Sequence, residues 1–308
     1  MVYDIIIVGC GPAGMSAAIY SSRYMMNILV VSSDIGGLAA TAHKICNFIS
    51  YPEISGMDLT QKMYQHLESM NVKVEFDTVT EIQKDSKDGH FIVKTELGNT
   101  HESKKIIFTG GTEHEHLNIP GEHELLGKGV SYCATCDGAF FKNKIVAVVG
   151  GGDAALTASL LLSEYADKVY IIYRQDHFFR AEPAWVDTVL KNSKIECLFN
   201  EEVVSINGTK NVENLSLKSG KTLPVNGIFV EVGSKPNLKS LASLNITTEK
   251  NHIVVDNYQR TNVLGFFAAG DITNCVFRQI VVAAGQGAVA AYGAYIDLKK
   301  EEKDSTKN

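Results

Sequence analysis

Basic charge is in short supply: 29 Lys and Arg stand against 35 Asp and Glu, a net charge of −6. A nucleic-acid binder normally carries a basic face, so that class is set aside. Cysteine is sparse too. Of Cys10, Cys46, Cys133, Cys136, Cys197 and Cys275, only Cys133 and Cys136 lie close in the chain. That excludes a disulfide framework and makes a reducing, cytoplasmic compartment the default; the other four read as ordinary buried or half-buried thiols. The chain leads into Asp4-Ile5-Ile6-Ile7-Val8, a buried-strand pattern with no basic leader or cleavage site. No apolar run approaches the roughly 18 residues needed to span a bilayer. Tryptophan occurs once, at Trp185, and the nine histidines are scattered, so no metal is expected. What remains is 45% hydrophobic and 21% charged, the balance of a globular protein with a core. A chain of 308 residues favours two domains.

The informative internal feature is a repeat. Residues 4–34 read strand, glycine turn, helix, strand, and residues 144–175 do the same. A shift of 141 places Gly9 on Gly150, Gly11 on Gly152 and Val31 on Ile172. Each unit is a βαβ with apolar, β-branched strands, and two of them imply two doubly wound nucleotide-binding folds. Short runs within 72–107 suggest antiparallel strands, Leu59 to Met70 has helical spacing, and GFFAAGD (265–271) reads as a buried strand. A small-residue helix follows over Val281 to Leu298, then a charged tail expected to be mobile. Crossings near 110–121 and 235–247 make one domain discontinuous. The expected fold is α/β, two Rossmann-like three-layer dinucleotide-binding domains with one inserted into the other: residues 1–112 and 245–308, and residues 113–244.

Three motifs carry chemistry. Gly9-Cys10-Gly11-Pro12-Ala13-Gly14, between a strand and a helix, is a dinucleotide fingerprint whose backbone N–H groups can approach a pyrophosphate. Its ribose-binding acid would fall at Ser32, with Asp34 two residues on as the substitute. Gly150-Gly151-Gly152-Asp153-Ala154-Ala155 is the second fingerprint. There the equivalent strand ends in Tyr173-Arg174, and a cation at that edge, with Arg180 nearby, suits the 2′-phosphate of NADP. Between them, Cys133-Ala134-Thr135-Cys136-Asp137 offers a reversible dithiol with a carboxylate beside it. Zinc would need four ligands, and no second Cys-x-x-Cys or His pair has suitable spacing.

With GCGPAG, Gly36-Gly37, Asn47, SYCATCDG (131–138), GGGDAA, FRAEP (179–183), GFFAAGD and Arg278-Gln279-Ile280 in that order, the chain resembles the low-molecular-weight thioredoxin reductases over essentially its whole length. The resemblance implies an FAD site made of Gly9, Gly11, Gly14, Gly36, Gly37, Asn47, Gly110, Gly270, Asp271, Arg278, Gln279 and Ile280, with Val79 as a backbone contact to adenine. It implies an NADPH site at Gly150, Gly152, Asp153, Ala155, Arg174 and Arg180. It also implies a homodimer that reduces thioredoxin or a thioredoxin/glutaredoxin-like protein, with Cys136 beside the flavin, Cys133 as attacking thiolate and Asp137 moving the proton. Tyr173-Arg174-Gln175 departs from the family's His-Arg-Arg, Leu156-Thr157-Ala158 from its acidic helix start, and Leu38 from its glutamine. These departures leave NADH, or a ferredoxin- or deazaflavin-fed reductase, beside NADPH. A flavin-dithiol sensor is the non-enzyme alternative.

Overall fold

The computed structural model describes residues 2–305. Its chain divides into two compact units: Met1–Ala40, Ile45–Glu113 and Lys235–Asn308 form one, Thr41–Lys44 and His114–Ser234 the other. The return to the first unit falls at 234/235, ten residues before the position the sequence suggests. Leu238, Leu241 and Leu244 explain the difference, because they pack with Tyr3, Ile82 and Phe91 in a core of the first unit.

The first unit begins with β1 (Val2–Val8), α1 (Pro12–Arg23) and β2 (Ile28–Ser32). β1 and β2 pair in parallel, Ile5 opposite Ile28. Side chains alternate across a strand, so Ile5 and Ile7 enter one core with Ala13 and Ala17 of α1, while Ile6 and Val8 enter another on the opposite face. Both faces being covered, the strand is apolar throughout instead of alternating. Next come α2 (Gly56–Ser69), β3 (Val74–Phe76), β4 (Val79–Lys84), β5 (Phe91–Thr95) and β6 (Thr100–Phe108). The sheet runs β3-β2-β1-β6-β5-β4. Only β4-β5-β6 is antiparallel, whereas β3 and β6 pair in parallel with β2 and β1. The expectation of antiparallel strands in 72–107 therefore holds among β4, β5 and β6 but not for β3, and β6 also joins β1 in parallel.

The second unit follows β7 (Thr112–His114) with β8 (Val130–Ser131), α3 (Ala134–Asp137), β9 (Ile145–Val149), α4 (Asp153–Tyr165), β10 (Lys168–Tyr173), α5 (Pro183–Lys191) and β11 (Ile195–Phe199). β12 (Val203–Asn207), β13 (Asn214–Leu217) and β14 (Thr222–Pro224) make an antiparallel sheet before β15 (Gly227–Val230). The parallel sheet has the order β11-β10-β9-β15-β8. Val146 and Val148 pack toward α4, and Ala147 and Val149 pack with Leu215 and Leu217 of β13. Helix, parallel sheet and antiparallel sheet are its three layers.

The chain returns through β16 (Ser234–Pro236), which pairs with β7. After β17 (Thr248–Glu249) and β18 (His252–Ile253), β19 (Phe266–Ala268) adds to β6 in parallel, and α6 (Ile280–Ser305) closes the first unit. Helix α6 is longer than the sequence suggests and takes in part of the charged tail; residues 306–308 lie outside the described residues. Contrary to the reading of apolar runs, it is long and apolar enough to cross a membrane by length and composition. Its Ala290, Ala291 and Ala294 are fully buried in the same core as Ala13, Ala17 and Ala18, as in a core helix.

Candidate active site

At the redox pair, Cys133 ends an extended stretch and caps α3, and its sulfur is bonded to that of Cys136. Cys133 is half-buried and Cys136 exposed. The Cys136 N–H points at Cys133 Sγ, 3.1 Å away. A donor fixed on that sulfur stabilises negative charge there once the disulfide opens, so the geometry favours a thiolate on Cys133. Asp137 is held by Ser131, whose Oγ donates to Asp137 Oδ2 at 2.6 Å and accepts the Cys133 N–H at 3.0 Å. A three-member chain thus joins the carboxylate to the backbone of the capping cysteine.

Sequence reading included Ser131 and Tyr132 in the SYCATCDG motif without giving either a role, and passed over Glu122. Fully buried Glu122 accepts the N–H groups of Leu117 and Asn118 at 2.8 and 2.6 Å and the Tyr132 hydroxyl at 2.6 Å. His116 Nδ1 lies 2.6 Å from the same hydroxyl. The histidines are therefore not all scattered. His116 and His123 gather with Glu122, their ligand atoms within 4.8 Å of one another, as do Asp88, His90 and Glu102. The spacing offered a signal that sequence reading did not use, since His116, Glu122 and His123 fall in one short segment and Asp88 and His90 are two residues apart; only Glu102 comes from a separate strand, β6.

In the first unit, Gly9 turns with φ +102° and Gly11 caps α1. A Cβ on Gly14 would sit 1.9 Å from the Gly9 oxygen, so only glycine lets the helix start this close to the turn. Pro12 and Ala13 occupy the first turn, where helix N–H groups lack intrahelical acceptors. Thr109, unmarked in the sequence, pins the turn by donating to Val8 and Gly9 oxygens at 2.8 and 3.0 Å. Ser32 is buried, its Oγ accepting the Cys10 N–H at 3.0 Å and donating to the Asp34 oxygen at 2.7 Å. It faces inward, which leaves Asp34 exposed at this edge, its carboxylate accepting the Gly37 N–H at 2.9 Å. Gly36 is tied to the turn through its N–H to Cys10 O at 2.9 Å.

The remaining residues expected around a flavin come from distant segments. Asn47 Nδ2 donates to Gln279 Oε1 at 3.3 Å, bringing its loop to the start of α6, where Ala283 N–H reaches back to Gln279 O. Gly270 N–H is held by Gln286 Oε1 at 2.8 Å. Burial pushes the Asp271 carboxyl up, against the pull of Arg278 and His252. Val79 is half-buried, Gly110 and Arg278 are exposed, and Ile280 opens α6. Asp271, half-buried and without a hydrogen-bond partner among the described residues, and the glycine cradle of α1 fit a flavin dinucleotide's hydroxyls and pyrophosphate. Cys46 is exposed, contrary to the sequence reading.

The second fingerprint repeats the first. Gly150 turns with φ +145°, Gly152 caps α4, and Ala155 is buried beneath. Space beside Gly152 is open, with no atom within 4 Å of an added Cβ. Asp153 Oδ1 accepts the Glu182 N–H at 2.7 Å, and burial raises its pKa. Glu231, which follows β15, presses its carbonyl against the Gly150 turn, and burial raises its side chain to about 7. Arg174 and Arg180 are both exposed, and Arg180 lies over the Phe179 ring at 5.3 Å. The turn and its cationic edge fit the phosphates of a nicotinamide dinucleotide.

Comparison with known proteins gives a consistent picture. The profile of the pyridine nucleotide-disulphide oxidoreductases matches residues 3–287. A Listeria innocua protein named thioredoxin reductase is 40% identical over 97% of this chain and 96% of its own. Lactococcus lactis thioredoxin reductase, in a crystal structure of its FR conformation, matches with a TM-score of 0.90 and 38% identity, over 95% of this chain and 98% of that one. A ferredoxin-flavin thioredoxin reductase from Clostridium acetobutylicum matches with a TM-score of 0.54 and 33% identity, over 97% and 98%.

Proposed function

Since the chain belongs to the pyridine nucleotide-disulphide oxidoreductase family, and within it to the thioredoxin reductases, we propose that it is a thioredoxin-disulfide reductase drawing electrons from NADPH. FAD is held in the first unit by the Gly9–Gly14 turn, Gly36, Gly37, Asn47, Asp271, Arg278 and Gln279. NADPH is held in the second unit by the Gly150–Ala155 turn, Arg174 and Arg180. When bound, these groups supply the two electrons that open the Cys133–Cys136 disulfide.

The chain's own residues do the rest. The Cys136 N–H stabilises the Cys133 thiolate, which attacks one sulfur of the partner's disulfide and joins it in a mixed disulfide. Asp137, oriented by Ser131, gives a proton to the partner's departing sulfur. The Cys136 thiol then gives its proton to the Asp137 carboxylate and attacks Cys133 Sγ, which re-forms the internal disulfide; the partner's second sulfur leaves and takes that proton, so the partner is freed as a dithiol. The partner is thioredoxin or a thioredoxin/glutaredoxin-like protein, and the enzyme is a soluble, cytoplasmic homodimer in this reading.

The observation that carries the proposal is the Cys136 N–H on Cys133 Sγ, with Asp137 tied into the same short helix. Anaerobic titration of the purified protein tests it: NADPH should bleach the yellow band over two equivalents per flavin, one for the Cys133–Cys136 disulfide and one for the flavin, and turnover with thioredoxin should follow. A second reading rests on Tyr173, whose ring lies against Gly151 in the middle of the second turn, where a dinucleotide would have to approach. In that reading a ferredoxin or a reduced deazaflavin is the donor. Bleaching by dithionite but by neither NADPH nor NADH would select it.

A further inference from the structure

The repeat that relates the two folds places Tyr173 where the first has Ser32, and Gly151 where the first has Cys10. In the first fold the small Ser32 turns inward and bonds the Cys10 N–H. In the second the sizes are exchanged. Three ring atoms of Tyr173 lie 2.5–2.6 Å from where a Cβ on Gly151 would stand, so the ring rests directly on the middle of the glycine turn. Its plane is continued by Phe178, stacked at 5.8 Å and 20°, and by Phe179 at 6.5 Å and 28°. Phe178 is itself held edge-on by Phe199 at 5.0 Å.

This strand end is the position from which a nucleotide-binding fold normally reaches the adenosine ribose lying over its glycine turn. A stacked ring there competes with that ribose for space. The rest of the site remains serviceable, since Gly152 is open and Arg174 and Arg180 are solvent-exposed. The Tyr173 ring therefore covers the middle of an otherwise open anion-binding turn.

We propose that Tyr173 is the gate of the second nucleotide fold: its ring must leave Gly151 before a nicotinamide dinucleotide can seat, and it thereby sets the affinity. The proposal deepens the NADPH reading above and rests on it for the identity of the ligand. A site competent only in its open state binds with an apparent affinity reduced by the open fraction. Two aromatic contacts are enough to hold that fraction near one in ten.

The test is calorimetric binding of NADP+, which cannot reduce the flavin, to the FAD-loaded holoenzyme. Wild type is compared with Tyr173→Ser, Tyr173→Phe and Phe179→Ala. Tyr173→Ser should bind about tenfold more tightly, Tyr173→Phe like wild type, and Phe179→Ala in between. Phe179 is 55% exposed, so its truncation tests the gate even if Tyr173→Ser fails to fold. Equal or weaker binding by folded Tyr173→Ser, or by Phe179→Ala alone should the serine variant not fold, overturns the gate. Absence of binding in every variant overturns it too. If wild type binds nothing while Tyr173→Ser binds, the gate stands and NADPH is no longer the natural donor, so the two ideas fail separately.

Discussion

At the scale of the residue, the two sulfurs are not equivalent. The Cys136 N–H serves Cys133 Sγ, and among the described residues no comparable donor is seen on Cys136 Sγ. Cys133→Ser and Cys136→Ser should each abolish reduction of a thioredoxin-like protein while FAD stays bound, because neither side chain belongs to the first unit's glycine cradle. Turnover assays and flavin spectra check this, and disulfide reduction persisting in both variants would displace the site. With Cys136→Ser, a stable mixed disulfide through Cys133 should accumulate, visible by mass spectrometry.

Glu231 carries a pH dependence of its own. Burial raises its carboxyl from 4.5 to about 7, so between those values the folded chain holds a proton that the unfolded chain has released. Stability from this group is thus full below pH 4.5 and declines as pH rises to about 7. Glu231→Gln should remove that decline and leave the protein more stable by roughly 3 kcal/mol at pH 8. Denaturant melts of both proteins at pH 5 and pH 8 give the answer, and a gap that does not widen with pH would show the carboxyl to be solvated.

At the scale of the element, α1 and α6 are held together by small residues. A Cβ added to Gly287 would stand 2.0 Å from the Ala13 carbonyl oxygen, a backbone atom that cannot turn aside. Gly287→Ala should therefore force the helices apart at a cost of about 3 kcal/mol. The same displacement moves the start of α1, so flavin retention should drop along with thermal stability. Flavin content after gel filtration and the melting temperature are the measurements; a variant with both unchanged would mean the helices part cheaply. Sequence reading found α6 as a small-residue helix, and its alanines and glycines are small because α1 lies this close.

At the scale of the whole molecule, the described apolar cores do not cross the unit boundary. Two draw on residues from Tyr3 to Phe108 and from Leu238 to Leu298, and two on residues from Leu117 to Val232. A segment of residues 114–234 should accordingly fold alone, with cooperative unfolding and no bound flavin. The remainder, its crossings joined by a short linker, should bind FAD. Circular dichroism and absorbance decide the matter, and a segment that melts without cooperativity would mean its cores depend on the rest.

Both glycine turns, the βαβ repeat, the cysteine pair and the insertion of one fold into the other were legible in the sequence. Each is a local pattern of period, spacing or backbone freedom that the chain displays wherever it sits. The parallel pairing of β3 and β6, the donor on Cys133 Sγ, the Thr109 clasp on Gly9 and the ring of Tyr173 on Gly151 were not. Those depend on which distant segments meet once apolar strands are buried on both faces, and that meeting is decided by packing in three dimensions. The sequence thus determined what chemistry the chain carries; the tertiary structure decided which atoms face it.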